Sequence, residues 1–365
     1  MIRITILACV VGLCACQAAA RPDTVTVDEI VARHIEAIGG EEAIRNLQNL
    51  VFGGGLYEEE GYSSDGNATM SLGRPFFKLV GDKTSGYAEG YDGAAWEWFE
   101  NPGIVVRTVG KASEAIRHYA GVESPLLDYR EKGSSARLIG ETELDARAVF
   151  VIQLERRDGF IEQFYIDKNN YLINASGREA PIHAFGDSVT RLNRISDYRT
   201  VGGVQIAHHF ESVEMPSGKP LSSMQWGSIK ANQELPADWF SPPEFERTPL
   251  QTFIEQLYGQ RSDIAAVMWT YHEFRRANPE IDISDPVNMA AFQILKMGDV
   301  DNAIALLEQN AKDYPDSANT RFGLGRAYQT AKRLEDAKTE FLAALNADPD
   351  HARSKAALEA LLKKN

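Results

Sequence analysis

Histidine and glutamate side chains lie close enough in one short segment of this sequence to suggest metal chemistry. In His208-His209-Phe210-Glu211, His209 and Glu211 are two residues apart and would share one face of a β-strand. Together they could supply two ligands to a zinc ion, but a zinc site needs at least a third protein ligand. A hydrolase or metalloenzyme that uses His208 or His209 therefore stays open as one alternative for the function.

Other catalytic signatures are incomplete or absent. His272-Glu273 begins like the zinc-protease motif H-E-x-x-H, but Arg276 stands where the second histidine must be. The sequence also contains no G-x-S-x-G nucleophile motif and no phosphate-binding loop. We therefore expect a protein that is not an enzyme, with no catalytic residues, no metal and no cofactor.

The cysteines indicate a different chemistry, that of export. All three fall within the first sixteen residues, at Cys9, Cys14 and Cys16. One cation, Arg3, precedes an uncharged and mostly apolar run from Ile4 to Ala15, which predicts a secretory signal over residues 1–20. A membrane-spanning helix needs about 20 apolar residues, so this run is too short to span the bilayer. The folded part then contains no cysteine and no disulfide.

Two cleavage sites compete in this segment. Leu13-Cys14-Ala15-Cys16 resembles the bacterial lipobox, which implies a lipid attached to Cys16 as the new N-terminus. Because Gln17 rather than an aspartate follows, the resemblance further implies sorting to the outer membrane. Alternatively, Ala18-Ala19-Ala20 is an ordinary signal cleavage site, the mature protein is soluble, and the cysteines are merely small apolar residues of the signal.

Charge and composition narrow the classes of partner. The sequence has 52 acidic and 38 basic residues, a net charge of −14 and no sustained run of Lys or Arg. Nucleic acid binding requires concentrated positive charge, so we expect no nucleic acid partner. With 44% hydrophobic and 25% charged residues in a chain of 365, the composition indicates a globular protein of about two domains.

A strand pattern extends from about residue 50 to residue 232. Short segments alternate between apolar and polar positions and are separated by Gly, Asn, Asp and Pro, which predicts an antiparallel sheet with one covered face. The clearest strands are 146–155 and 160–166, and Gly202-Gly203 predicts a tight turn between two others. We expect nine or ten strands that curl into a barrel or half-barrel, with a helix at 112–119 as a lid.

An apolar ligand inside a half-barrel would need aromatic side chains on the inner face. Trp96 and Trp98 share one face of a predicted strand, and Phe150 and Phe164 occupy apolar positions of two others. These four side chains are the candidate ligand-binding residues. The alternative is that they fill the core, because burial at about 25 cal/mol per Å² stabilises the fold without any ligand.

The C-terminal part of the sequence repeats with a period of 34 residues. The repeat positions hold Leu324, Gly325, Tyr328, Ala337, Phe341, Ala344 and Pro349, and one period earlier Ala291, Ile294, Ala303, Leu307, Asn310 and Pro315. Small residues at two of these positions let paired helices approach, and large residues fill the seam between them. The pattern resembles the tetratricopeptide repeat family.

That resemblance implies a helical scaffold whose groove binds a peptide or a partner protein. We assign the repeats and a capping helix to residues 284–365, and a helical linker or cap to residues 246–283. The predicted partner-binding residues of the groove are Asn288, Phe292, Lys296, Phe322, Arg326 and Gln329. This mixture differs from the Lys/Asn clamp of repeats that hold a C-terminal carboxylate.

Residues 25–245 carry several motifs of a second family. Among them are the opening segment 28–40, Tyr91-Asp-Gly-Ala-Ala-Trp96 and the closing Asp238-Trp-Phe-Ser-Pro242. They resemble the periplasmic lipoprotein carriers of the Lol system and their outer-membrane-associated relatives. The resemblance implies an unclosed antiparallel barrel whose concave side is plugged by helices and holds acyl chains or another apolar ligand.

The fold class that we expect is α+β: an antiparallel half-barrel with a helical lid, followed by an all-α repeat domain. The expected function is that of an exported, periplasmic protein, anchored to the outer membrane by a lipid at Cys16. It would bind an apolar ligand, a lipid or a lipoprotein-like molecule, in the half-barrel and a protein partner through the repeats. A scaffold or assembly factor without a ligand cavity is the second alternative.

Overall fold

A computed structural model describes residues 25–59, 62–63, 66, 68–81, 87–99, 104–181, 188–242 and 248–362. Within these residues one large antiparallel sheet is followed along the chain by helices alone, which confirms the predicted α+β class. The predicted signal at residues 1–20, including Cys16, lies outside the described residues.

Fifteen strands form the sheet within the described residues. The first seven are β1 Leu50–Glu59, β2 Tyr62–Ser63, β3 Ala68–Leu72, β4 Phe77–Val80, β5 Tyr87–Tyr91, β6 Ala95–Phe99 and β7 Ile104–Arg107. The others are β8 Ser135–Leu144, β9 Arg147–Glu155, β10 Ile161–Asp167, β11 Ile173–Pro181, β12 Ser188–Val201, β13 Val204–Glu214, β14 Pro220–Gln225 and β15 Ser228–Ala231. The expectation of nine or ten strands was wrong, because strands of two to four residues such as β2, β4 and β7 are too short to show alternation.

The strands follow the order β7-β6-β5-β4-β3-β1-β14-β13-β12-β11-β10-β9-β8, with β2 and β15 pairing on β1. Most neighbours are therefore consecutive hairpins, and β1 joins the two halves. The predicted turn at Gly202-Gly203 links β12 to β13, and both glycines have positive φ, +57° and +85°. A side chain would be strained at both positions, which explains the pair of glycines.

Three helices cover one face of this sheet: α1 Val27–Ala37, α2 Glu41–Asn46 and α3 Gly110–Tyr119. We call the side that they cover the inner face. Thr26 caps α1, because its side chain accepts a hydrogen bond from the backbone N–H of Glu29 while the Glu29 carboxylate accepts one from the N–H of Thr26. Apolar side chains of α1 and α2, among them Ile30 and Ile44, are fully buried against the sheet.

The position of α3 shows that the sheet is curled. β4 and β11 are six strand spacings apart in the sheet order, which would be about 29 Å in a flat sheet at about 4.8 Å per spacing. A ten-residue helix is only about 15 Å long, yet α3 contacts both strands. The two arms of the sheet must therefore bend toward each other around α3, as a half-barrel requires.

Seven helices follow the sheet within the described residues. They are α4 Pro249–Gly259, α5 Ile264–Ala277, α6 Ser284–Lys296, α7 Val300–Asp313, α8 Ala318–Thr330, α9 Leu334–Ala347 and α10 Ala352–Leu362. The pairs α6–α7 and α8–α9 are the two repeats. A Cβ atom on Gly325 would lie 2.6 Å from the Phe341 ring, so only glycine permits the close approach of α8 and α9.

The helical part is attached to the sheet at the edge strand β7. The backbone N–H of Val105 donates to Oε1 of Gln251 at 2.8 Å, and Nε2 of Gln251 donates to the Val105 carbonyl at 3.5 Å. Val106 belongs to the same apolar cluster as α4 and the repeats. The Gln251 amide thus pairs with the backbone N–H and C=O groups of Val105, which an edge strand would otherwise leave unpaired. None of the helices within the described residues is both long and apolar enough to span a bilayer.

Candidate functional site

Two of the four predicted ligand-binding aromatics lie on the inner face beneath α1. Phe150 and Phe164 come from β9 and β10 and are buried in one cluster with Ile30 and Val31. The side chains of α1 fill the space in front of both rings. In this structure the two phenylalanines therefore act as core, the alternative that the sequence left open.

Trp96 and Trp98 lie on the opposite, outer face. Trp96 is in register with Gly90, and its Nε1 donates to the carbonyl of Phe240 at 3.1 Å. On the inner face β6 instead presents Ala95, which packs with Ile116 of α3. The four candidate aromatics therefore lie on both faces of the sheet, because a period of two shows which residues share a face but not which face is covered.

The outer-face tryptophan is buried by the chain segment that follows the sheet. A Cβ on Gly90 would lie 2.5 Å from the Trp96 ring, so glycine makes room for the indole. The neighbouring Trp239 donates from Nε1 to the Ser71 hydroxyl at 3.0 Å, and Phe76 stacks on Phe240. These contacts fix the closing motif that runs from Asp238 onward against β3, β4 and β6.

The inner face beneath α3 is covered more thinly than the inner face beneath α1. Its apolar contacts form two small clusters of buried residues, one of Phe77, Ala95 and Ile116 and one of Ala115 and Phe160. Tyr119, partly buried at the end of the helix, contacts both clusters. Ala95 and Ala115 are thus buried between α3 and the sheet, next to larger side chains of which several, such as Met70, Leu79 and Tyr91, are only partly buried.

Polar contacts and glycines mark the two ends of α3. Nε2 of His118 lies 2.9 Å from Oδ2 of Asp158, and the Arg117 guanidinium also pairs with Asp158. Burial opposes the charge on Asp158, but the Phe160 backbone N–H and His118 hold its pKa below the usual value. Gly110 begins the helix with φ +65° and Gly121 follows it with φ +131°, conformations that side-chain-bearing residues rarely adopt.

Next to α3 the inner face changes from apolar to charged. Nη1 of Arg178 on β11 donates to Oε1 of Glu162 at 2.8 Å, and Nη2 donates to the Tyr119 hydroxyl. Arg156 reaches the other carboxylate oxygen of Glu162 at 3.4 Å. Burial opposes the charge of Arg178, yet Tyr119 and Glu162 raise its pKa above the usual value.

These charged residues were not among the sequence candidates. Arg178 bonds to Glu162 of the neighbouring strand β10 and is in register with Arg191 on β12. The sequence could have indicated this cluster only through Arg178, which is two residues from the inward-pointing Ser176 and therefore on the same face of the strand. That signal has meaning only once the inner face is known.

The histidines of the metal alternative point to different sides of β13. His208 is buried, with Nδ1 3.0 Å from the Ile206 carbonyl, whereas Nδ1 of His209 lies 3.1 Å from the Ser196 hydroxyl. Nε2 of His209 is 3.9 Å from a Glu211 carboxylate oxygen, so the predicted shared face is present. In the part of the chain that the structure describes, no three His, Cys, Asp or Glu side chains are grouped to hold a metal ion.

In the repeats, two of the six predicted groove residues are buried between helices. Nδ2 of Asn288 donates to the Asn319 carbonyl at 2.8 Å. The Phe322 ring lies 5.9 Å from the ring of Phe341 and 5.5 Å from that of His351, and the Arg353 guanidinium covers it at 5.0 Å. Both residues therefore join helices in this structure.

The other four groove residues lie nearer the surface. Lys296 is exposed at the end of α6, and Phe292, Arg326 and Gln329 are half-buried. Nη1 of Arg326 donates to Oε1 of Gln329 at 3.0 Å, which orders both side chains. For these four residues, contact with a partner stays a prediction.

Comparison with known proteins agrees with the helical part of this description. The sequence model of the tetratricopeptide repeat family matches residues 295–361, which confirms the predicted resemblance there. No curated protein matches the chain.

Solved structures match over the sheet at low identity. A DUF1329 family protein from Desulfovibrio piger has 12% identity and a TM-score of 0.41, covering 60% of this chain and 98% of its own. A LolA superfamily protein from Nitrosomonas europaea has 11% identity and a TM-score of 0.39, covering 60% and 99%. A lipoprotein-sorting protein domain from Vibrio parahaemolyticus has 13% identity and a TM-score of 0.36, covering 58% and 95%.

Proposed function

We propose that this protein is a non-enzymatic carrier of an apolar molecule and that its helical repeats recruit a protein partner. The ligand would be an acyl chain or a similar hydrocarbon, held on the inner face of the half-barrel beneath α3. Contact of the repeats with a partner would change how the ligand reaches this site. The reason is that α4 packs on β7, and β7 pairs with β6, which lies beneath α3.

The observation that carries the proposal is the unequal covering of the inner face. Beneath α1 and α2 large apolar side chains fill the space, and Ile30, Ile44 and Leu47 are fully buried. Beneath α3 the buried side chains include Ala95 and Ala115, and a glycine stands at the beginning of the helix and another just after its end. A helix attached in this way can move with less loss of apolar burial, and its movement would expose Phe77 and Phe160.

A filling substitution tests the location of the ligand. Ala95→Leu places a larger side chain beneath α3, while Ala148→Leu adds the same atoms at an exposed position of β9 and serves as the matched control. We expect the purified protein to bind mono-oleoylglycerol in equilibrium dialysis. We also expect at least fivefold weaker binding for Ala95→Leu and no change for Ala148→Leu. Equal binding by both variants would contradict a site beneath α3.

A scaffold without a ligand is the second candidate, and the filled core beneath α1 favours it. In that case the native protein would bring no lipid with it when purified from the cell envelope. Native mass spectrometry with lipid extraction separates the two proposals. If the native protein has the mass of the lipid-free chain and does not bind mono-oleoylglycerol, only the scaffold function remains.

The partner surface is tested at the exposed end of the groove. Lys296→Glu combined with Phe292→Ala changes the groove side of α6, whereas Lys312→Glu changes an exposed position of α7. We expect that a partner cross-linked to the native chain is lost with the groove variant and retained with the α7 control. Retention by both would contradict a groove at α6 and α8.

The cellular location is part of the same proposal. We propose a periplasmic protein anchored to the outer membrane by a lipid on Cys16, because the segment 13–16 has the lipobox pattern. Palmitate labelling of the native chain and its loss in Cys16→Ser would support the anchor. A Cys16→Ser protein that sediments with membranes in the same amount would contradict it.

A further inference from the structure

Three arginines lie together at the charged end of the inner face. Arg178 and Arg191 are directly paired in register between β11 and β12, and Arg156 and Arg178 contact the same carboxylate, that of Glu162. The Arg178 side chain is 8% exposed and that of Glu162 is 6% exposed. Two of the three arginines thus contact one buried carboxylate, and Arg191 is in register with Arg178 on the next strand.

Each of the three arginines has a donor without a partner. The Nε–H groups of Arg156, Arg178 and Arg191 are all buried, and none of them donates a hydrogen bond to an acceptor within the described residues. Buried donors are normally paired, since an unpaired one loses its hydration without compensation. Three such donors on neighbouring arginines thus lack an acceptor within the described residues.

Two other carboxylates of the described residues, those of Glu214 and Asp158, have partners of their own. Glu214 is in register with Arg191 on β13, but its Oε2 accepts a hydrogen bond from the Ser217 hydroxyl at 3.1 Å. Asp158 pairs with Arg117 and His118 of α3. The local excess of positive charge is also contrary to the net charge of −14 of the whole chain, so general composition does not explain it.

We propose that Arg156, Arg178 and Arg191 form a binding site for an oxyanion, a phosphate or a carboxylate. Planar guanidinium groups bind such groups through paired, charge-assisted hydrogen bonds. The Tyr119 ring lies 4.3 Å from the guanidinium of Arg178 and also belongs to the apolar cluster of Phe77 and Ile116. A ligand with an anionic head and an apolar tail would therefore place its head at the arginines and its tail beneath α3. This assignment of the ligand class rests on the proposed carrier function.

Two amphiphiles with one acyl chain test the site. Mono-oleoylglycerol and its 3-phosphate differ only in the anionic group, and inorganic phosphate tests the anion alone. The variant is Arg191→Gln, and the matched control is Arg199→Gln, a 54% exposed arginine of the same strand. Arg156→Gln is the second variant if Arg191→Gln does not fold, as judged by circular dichroism.

We expect the native chain to bind the phosphorylated amphiphile about tenfold or more tightly than mono-oleoylglycerol, as charge-assisted hydrogen bonds imply. Arg191→Gln should remove this preference and leave the binding of mono-oleoylglycerol unchanged, while Arg199→Gln keeps both. Equal binding of both amphiphiles that Arg191→Gln does not alter would overturn the anion site and leave the carrier function in place.

The inorganic phosphate arm separates the two sources of the anion. Binding of phosphate that depends on Arg191, with neither amphiphile bound, would support the oxyanion site and overturn the carrier function. Absence of binding by all three probes would overturn both proposals.

Discussion

Two regions of one inner face are covered by helices in different ways. α1 and α2 bury large apolar side chains against β9, β10 and the central strands, and α1 is fixed by a capping box at Thr26. α3 has no side-chain cap, crosses between the two arms of the sheet and packs through small residues and a charged cluster. α1 and α2 therefore form part of a large core, whereas α3 contributes fewer buried side chains.

Buried polar contacts follow the same division. His34 of α1 connects the backbone carbonyl of Tyr171 at 2.9 Å with the Ser124 hydroxyl at 3.0 Å, so α1 is held by neutral hydrogen bonds. The corresponding contacts of α3 are ionic and involve Asp158 and the Arg178–Glu162 pair. The ion pair of Arg117 and Asp158 is partly exposed and therefore depends on solvent and salt, whereas the buried Arg178–Glu162 pair is screened much less.

The largest expected effect is a loss of core packing beneath α1. Phe164→Ala should lower the free energy of unfolding by about 3–5 kcal/mol, because the cavity would lie among the side chains of α1, β9 and β10. Urea denaturation measures the change. Ile161→Ala is the control, since Ile161 is 47% exposed on the same strand. A loss equal to that of the control would show that α1 does not form a true core with the sheet.

The next effect concerns α3 and is expected to be local. Ile116→Ala should cost about 2 kcal/mol, the lower end for a buried isoleucine, because its cluster contains few buried residues. Hydrogen exchange should become faster in the amides of α3 and stay unchanged in α1. Equal acceleration in both helices would remove the distinction between the two coverings.

Acidification offers a smaller test of α1. Burial lowers the pKa of His34, so the folded protein keeps this side chain neutral, while the unfolded chain takes up a proton near pH 6.5. The free energy of unfolding should therefore fall as the pH drops below about 6.5 and level off below the pKa of the folded state. His34→Gln should flatten this dependence in urea titrations between pH 7.5 and 5.5, whereas His272→Gln, at an exposed position of α5, should not. If His34→Gln kept the pH dependence of the native protein, His34 would not be its cause.

The smallest effect is expected at the exposed ion pair of α1. Arg130 donates to both carboxylate oxygens of Asp28, at 2.9 and 2.8 Å, but both side chains are more than half exposed. Water and salt screen such a pair, so Arg130→Ala should cause no change that a urea titration resolves. If Arg130→Ala lowered the free energy of unfolding at low salt but not at high salt, ionic contacts would also hold α1.

Local signals predicted several elements closely. The capping helix expected at the end of residues 284–365 is present as α10, and the lid helix expected at 112–119 begins two residues earlier, at Gly110. Positive φ at Gly202 and Gly203 and the close approach at Gly325 also agree with the expectations for turn and repeat. In each case the cause lies within a few residues or within one helical pair.

Long-range features could not be predicted in this way. The alternation of β6 placed Trp96 and Trp98 together, but which side of β6 faces α3 depends on the order of all the strands. The arginine cluster was missed for the same reason, because Arg156, Arg178 and Arg191 are adjacent only through pairing of β9 to β12.

The sequence by itself determined the sheet-then-helices order, the repeat period and the turns, because each depends on backbone preferences or on contacts between neighbours in the chain. The tertiary structure alone decided which aromatics are core, which face α3 covers and where two arginines contact one buried glutamate. The physical reason is that burial is a property of the assembled sheet, since one strand has two equivalent faces until its neighbours and the covering helices distinguish them.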